Sequence, residues 1–298
     1  MQLEAMRKTA AGVCALMLLT AIAPEVEAAS KDERALAQMQ VQAARGDPIA
    51  QYNLGAYWSQ EVEPGRRNYP LAAAWYRKAA QQGSAGAAYN LGLLIKDNLA
   101  GQEIDRNERR PLFEFAAKSG NASAMYELAM SIDARTEPAP YQFWLRRAGE
   151  KGERRAMDRL GTDIQRGRAG FKQDLAEGAA WYRKSAEAGF PMGMNNWGVV
   201  LDEGVGVPVD AKAAALWMRR AAEKGECVAV VNLSGMYGSG KGVEKSEATQ
   251  VSLLKNAMSL GSKPAAEKLA RLYRTGQAGV GRDLEKARQL DAFVGKPC

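Results

Sequence analysis

Residues 202–225 read DEGVGVPVDAKAAALWMRRAAEKG. The stretch opens on a glycine-rich turn and passes through Asp210 into an alanine-rich amphipathic run. An aspartate in that place can accept the free N–H groups of a first helical turn. Trp217 and Ala221 stand four residues apart, and residues so spaced share one helix face. Gly225 closes the run where a helix C-terminus wants a left-handed residue. The stretch is therefore a turn followed by one capped helix.

The closing glycine recurs as Gly46, Gly83, Gly120, Gly152, Gly189, Gly225 and Gly261. Before it, at the places of Trp217 and Ala221, stand a bulky residue (Trp75, Leu112, Trp144, Trp181 or Leu253) and a small one (Ala79, Ala116, Ala148, Ser185 or Ala257). The spacing predicts a second helix, helix B, whose bulky knob packs beside a close-approach alanine. After each glycine a first helix, helix A, repeats its own pattern. Leu54, Leu91, Leu128, Leu160, Trp197, Leu233 and Leu269 are each followed by Gly, Ala or Ser. Four residues on come Trp58, Ile95, Ile132, Ile164, Leu201, Tyr237 and Tyr273, a core stripe with helical spacing. A helix-interior glycine costs about 1 kcal/mol against alanine, so its return at one position argues that another helix crosses closely there. The third unit is short, and its turn Glu137-Pro138-Ala139-Pro140 looks trimmed, which predicts a local bend.

These units resemble the Sel1-like repeat, a tetratricopeptide-like helical hairpin. Residues 202–225 carry the resemblance best, and Tyr52-Asn53-Leu54-Gly55 and Tyr89-Asn90-Leu91-Gly92 match its helix A signature. The units at 84–120, 121–152 and 226–261 diverge most. The expected fold is all-α: a solenoid of about seven hairpins over residues 46–298, preceded by a capping helix in 29–45. A single hairpin cannot bury its apolar face, so the units should stack into one continuous array, a right-handed superhelix with a concave wall.

The first thirty residues are a separate object. Arg7 and Lys8 precede an uncharged apolar run from Thr9 to Ala23, too short to span a bilayer comfortably. Val26 and Ala28 fit a signal-peptidase site, so residues 1–28 read as a cleaved secretory signal and the compartment as the periplasm or beyond. An uncleaved anchor is the alternative. Cys227 and Cys298 remain in the mature chain, and two cysteines in an exported chain invite a disulfide. The repeat register sets them about two units apart, so only a tail folding back after Phe293 would join them.

Composition narrows the chemistry. The 298 residues contain no histidine. That excludes Ser-His-Asp and Cys-His nucleophile pairs and His-ligated metal sites. No cofactor or metal is expected. The net charge of +7 becomes +8 once residues 1–28 leave with two basic and three acidic side chains. Arg77-Lys78, Arg146-Arg147, Arg183-Lys184, Arg219-Arg220 and Lys255 lie in the last turns of helix B, where the helix dipole favours cations. They cover the whole excess, so nucleic acid is not the expected partner.

Three short motifs compete with the repeat reading. Gly238-Ser239-Gly240-Lys241-Gly242 glances at a phosphate loop but lacks the Ser or Thr after Gly-Lys. Ser252 and Lys255 fit Ser-x-x-Lys, which leaves a β-lactamase-like or other envelope hydrolase as the alternative function. Asp202 and Glu203 are adjacent and point about 100° apart on a helix, which does not suit a glycosidase pair. The favoured site is the groove. In tetratricopeptide-like hairpins the residue two before the helix A leucine tends to face it. That register gives Tyr52, Tyr89, Tyr126, Asp158, Asn195, Val231 and Glu267, with Arg155 and Arg166 beside them. The tyrosines either anchor an extended peptide or seal contacts between repeats. The expected function is a non-catalytic scaffold for a protein or peptide partner, in envelope assembly or signalling.

Overall fold

A computed structural model describes residues 31–60, 67–101 and 105–295. Residues 1–28, expected as a cleaved leader, and Cys298 lie outside the described residues. Every regular element among the described residues is helical. Helix α1 (Lys31–Ala44) comes first. Seven hairpins follow: α2 (Pro48–Ser59) with α3 (Tyr69–Gln81), α4 (Ala85–Lys96) with α5 (Arg109–Lys118), and α6 (Ala122–Met130) with α7 (Pro138–Glu150). Next come α8 (Arg154–Gln165) with α9 (Leu175–Glu187), and α10 (Pro191–Glu203) with α11 (Ala211–Glu223). The last are α12 (Cys227–Ser239) with α13 (Glu247–Ser259), and α14 (Lys263–Thr275) with α15 (Leu284–Asp291). The expected all-α solenoid of hairpins is what forms. Its contacts divide into two compact units at Ser119–Gly120, where the short third hairpin begins.

Capping explains the boundaries. The seven repeat glycines have φ between +82° and +101°, which an L side chain adopts only under strain. The residue after the glycine bonds back five positions, as where Ser84 N donates to the Ala79 carbonyl and Glu226 N to the Ala221 carbonyl, both at 3.0 Å. That is the closure that silences the last carbonyls of a helix. At the other end Asp174, Asp210 and Asp283 accept from the backbone N–H groups of Glu177, Ala213 and Lys286 at 2.8, 2.9 and 2.8 Å. The N-cap predicted at Asp210 is in place, and Asp174 and Asp283 repeat it.

The core corrects the helix B register by one residue. Among the bulky residues expected as knobs, Trp181 is buried, while Trp75, Leu112, Trp144, Trp217 and Leu253 are half-buried. The buried knob is the next residue: Tyr76, Phe113, Leu145, Tyr182, Met218 and Leu254. One residue turns a helix face by about 100°. The knob meets the glycine of its own helix A: a Cβ on Gly55 would come within 2.5 Å of Tyr76, on Gly92 within 2.6 Å of Phe113, and on Gly161 within 2.7 Å of Tyr182. Those glycines are required by close approach, as their spacing suggests. Trp181 faces the preceding hairpin instead, where it lies against Gly149 of α7.

The basic pairs have two structural uses. The second cation of the pair covers the tryptophan one turn earlier, with Lys78 4.3 Å from the Trp75 centroid, Lys184 4.2 Å from Trp181 and Arg220 4.8 Å from Trp217. The first finds a polar partner: Arg77 and Arg146 reach Glu108 and Glu177 of the next hairpin at 2.5 and 2.6 Å, Arg183 bonds Glu187 of its own helix at 2.7 Å, and Arg219 bonds Tyr237 at 2.9 Å. Surface pairs of this kind contribute little each, but they account for the basic ridge.

Candidate functional site: the polar face of the first helices

In the unit ending at Ser119, Tyr52 and Tyr89 are half-buried. The Tyr52 ring lies 5.8 Å from that of Tyr76, and a Cβ on Gly86 would meet it at 3.2 Å, so Tyr52 seals α2 against α4. It also lines a cavity of 310 Å³ with Pro48, Ile49 and Gln82. Ile49 there is 70% exposed. Tyr89 packs on Phe113 with centroids 6.2 Å apart. Both tyrosines therefore serve the packing and still present an edge.

The unit from Gly120 onward holds the polar residues. Arg155 stacks over Tyr126, 4.5 Å from its centroid. Its Nη1 donates to Glu127 Oε1 and its Nε to Glu153 Oε1, both at 2.9 Å. Ser123 Oγ also donates to Glu153. Glu127 and Glu153 are buried. Burial pushes the Glu153 carboxyl up, but the hydrogen bonds from Arg155 and Ser123 outweigh it and hold it below the usual range. Burial raises the Tyr126 phenol.

Asp158 and Asn195 join a second network. Asn196 Nδ2 donates to Asp158 Oδ1 at 2.8 Å, Asn195 Nδ2 to Asn196 Oδ1 at 3.3 Å, and Asn232 Nδ2 to Asn195 Oδ1 at 2.9 Å. The chain of amides runs from α8 across α10 to α12. Asp158 is 7% exposed. Its burial, with a smaller push from Glu226, lifts the carboxyl to about 6 despite the Asn196 bond. Val231 is buried, while Arg166 and Glu267 are exposed and stand apart from these networks.

Sequence reasoning missed half of this set. The residue directly before each helix A core residue is polar in all seven units: Asn53, Asn90, Glu127, Arg159, Asn196, Asn232 and Lys268. That invariant polarity beside a core position was the available signal. It also missed a buried clasp between α7 and α8. Tyr141 donates to Asp163 Oδ2 at 2.5 Å, and Arg159 Nε donates to the same oxygen at 2.9 Å.

The competing motifs resolve into structure. Gly240 has φ +77° at the end of α12, and Lys241 crosses to Asp202, 2.9 Å from Oδ1. Ser252 and Lys255 are both exposed, and among the described residues no hydrogen bond joins them. Among the described residues no His, Cys, Asp and Glu cluster could hold a metal, and no helix is long and apolar enough to cross a membrane. Cys227 is buried at the start of α12 and disulfide-bonded.

Comparison with known proteins agrees with the geometry. The family model for the Sel1 repeat matches residues 48–84, 154–190, 191–226 and 263–290. The hairpins outside these matches are the three most divergent in sequence. A protective antigen of uropathogenic Escherichia coli with an SLR fold is similar at a TM-score of 0.71 and 26% identity, over 86% of this chain. The chain spans 55% of that antigen's length. A Sel1 repeat protein from Oxalobacter formigenes is similar at a TM-score of 0.53 and 26% identity, over 94% of this chain and 96% of its own. No curated protein matches the chain in sequence. Hairpins, capping glycines and repeat matches together show Sel1 repeats at four of the hairpins, in a solenoid similar to those of Sel1 repeat proteins.

Proposed function

We propose that the chain is an exported, non-catalytic scaffold that binds a protein or peptide partner along the polar face of its first helices. The observation that carries this reading is the amide chain from Asp158 through Asn196 and Asn195 to Asn232. It aligns polar groups of three successive hairpins on one face. Side chains held by such bonds are pre-ordered, which lowers the entropic cost of gripping an extended partner. In the same unit Tyr126 supplies an aromatic edge suited to anchoring, and in the unit ending at Ser119 Tyr52 and Tyr89 supply two more. The opposite helices carry cations already stacked on tryptophan or paired with glutamate, a poor start for nucleic acid. Periplasmic localisation and a role in envelope assembly or signalling complete the proposal, resting on the leader at residues 1–28.

Site-specific photocross-linking tests it. A photoreactive residue replacing Tyr52 or Asn195 should capture discrete partners in the cell envelope. The same residue at Arg183 or Lys255, on the second helices, should not. Equal capture from both faces, or capture from the second helices only, would overturn the proposal. Labelling of the purified protein by a fluorescent penicillin would restore the hydrolase alternative.

A further inference from the structure

A cavity of 230 Å³ opens among α10, α12 and α14. Val199, Asp202 and Glu203 form one wall, Asn232, Gly235 and Ser239 another, with Lys241 and Lys268 alongside. Two features of this cavity are costly, and nothing among the described residues offsets either.

The first is Gly235. It lies inside α12, where glycine costs about 1 kcal/mol against alanine. Gly55, Gly92 and Gly161 each leave room for a knob, but a Cβ on Gly235 would meet nothing within 4 Å. The same position in other hairpins carries Leu93, Thr162, Val199 or Arg271. Here the missing side chain leaves empty space.

The second is Lys268. It is half-buried, and burial, with help from Arg271, holds its ammonium below the ordinary lysine range. Among the described residues no carboxylate pairs with it. Asp202 is taken: Lys241 Nζ sits 2.9 Å from its Oδ1 and donates to its carbonyl oxygen at 2.9 Å. Glu203 is exposed, so solvent screens it. A desolvated charge without a counter-ion weighs more than an exposed one. The Ser239 hydroxyl already donates to Gly235 and Met236 carbonyls. Asn232 Nδ2 uses one N–H on Asn195 and keeps a second.

We propose that this cavity receives a carboxylate of the bound polypeptide, with Lys268 as its counter-ion, Asn232 as a second donor, and Gly235 as the floor that makes room. This rests on the first-helix face being the binding face, and it adds the chemical class that the last hairpins select. The carboxylate comes from an acidic side chain or from a free C-terminus.

The test uses the full mature chain on an array of immobilised random peptides. Each peptide is presented with a free C-terminus, with an amidated C-terminus, and with Asp and Glu changed to Asn and Gln. The expected result is a bound subset that needs one of these carboxylates. Lys268→Gln and Gly235→Val should each weaken that binding about tenfold or more, the loss of one charge-assisted bond. Valine is the residue α10 carries at this position, and unchanged helical circular dichroism and melting confirm folding. Sensitivity to amidation names a C-terminus, and sensitivity to the amide swaps names a side chain. Carboxylate-independent binding, binding indifferent to both variants, or no bound peptide overturns the proposal. If both variants bind normally but Asn195→Ala does not, the pocket fails while the scaffold reading stands.

Discussion

Arg155 lies over the ring of Tyr126, 4.5 Å from its centroid, and in the same pose holds two carboxylates of different helices. A tyrosine read from sequence as a binding anchor is thus also the platform of a buried ion cluster. Arg155→Ala takes the cation from between Glu127 and Glu153, both buried. Breaking such a cluster from one side costs about 3–5 kcal/mol. Urea unfolding should show that loss, and Arg155→Met combined with Glu127→Gln and Glu153→Gln should recover much of it. A loss below about 1 kcal/mol in the single variant would show that the cluster adds little to the fold.

Asp158 gives the protein a pH dependence of defined sign. Its carboxyl titrates near 6 in the fold, against an ordinary value of 3.8. The folded state therefore holds the proton more tightly than the unfolded chain. This group's penalty is full above pH 6 and is relieved as the pH falls from about 6 towards 4. Asp158→Asn should stabilise the protein at pH 7.5, by up to about 3 kcal/mol, and leave stability near pH 4 little changed. Melting temperatures of the two proteins across pH 4–8 should converge at the acid end. Parallel curves would sink the prediction.

Two helix-interior glycines should respond oppositely to alanine. At Gly235 a methyl group meets nothing within 4 Å, so Gly235→Ala should stabilise by about 0.5–1 kcal/mol. At Gly161 the methyl would come within 2.7 Å of the Tyr182 ring. Overpacking of that kind costs about 1–3 kcal/mol, so Gly161→Ala should destabilise. Denaturant midpoints decide it, and equal signs would contradict the packing described.

The protein should be recovered from the periplasm with Ala29 as its first residue and a bond between Cys227 and Cys298. Gly295 already lies against Gly261 and Lys263, one hairpin from Cys227, and three more residues reach about 10 Å. Peptide mapping of unreduced periplasmic protein should yield one linked pair from these two sites. Free Cys298, or an N-terminus at Met1, would refute the respective half.

The sequence by itself determined the hairpins. Gly83 or Gly225 at positive φ, Asp210 as a cap and Leu54 beside Gly55 are local requirements of a helix end or a close crossing, so they repeat wherever the unit repeats. Tertiary packing decided what spacing alone could not. Tyr182 rather than Trp181 fills the hairpin, because neighbouring residues on a helix differ by 100° and both are large aromatics. Arg155 clasping Glu127, and Asn232 reaching Asn195, join residues 28 and 37 positions apart. Each partner is an ordinary polar residue in its own repeat. Only the stacking of one hairpin on the next brings them within reach, and only there do an empty glycine floor and an unpaired lysine become the two sides of one cavity.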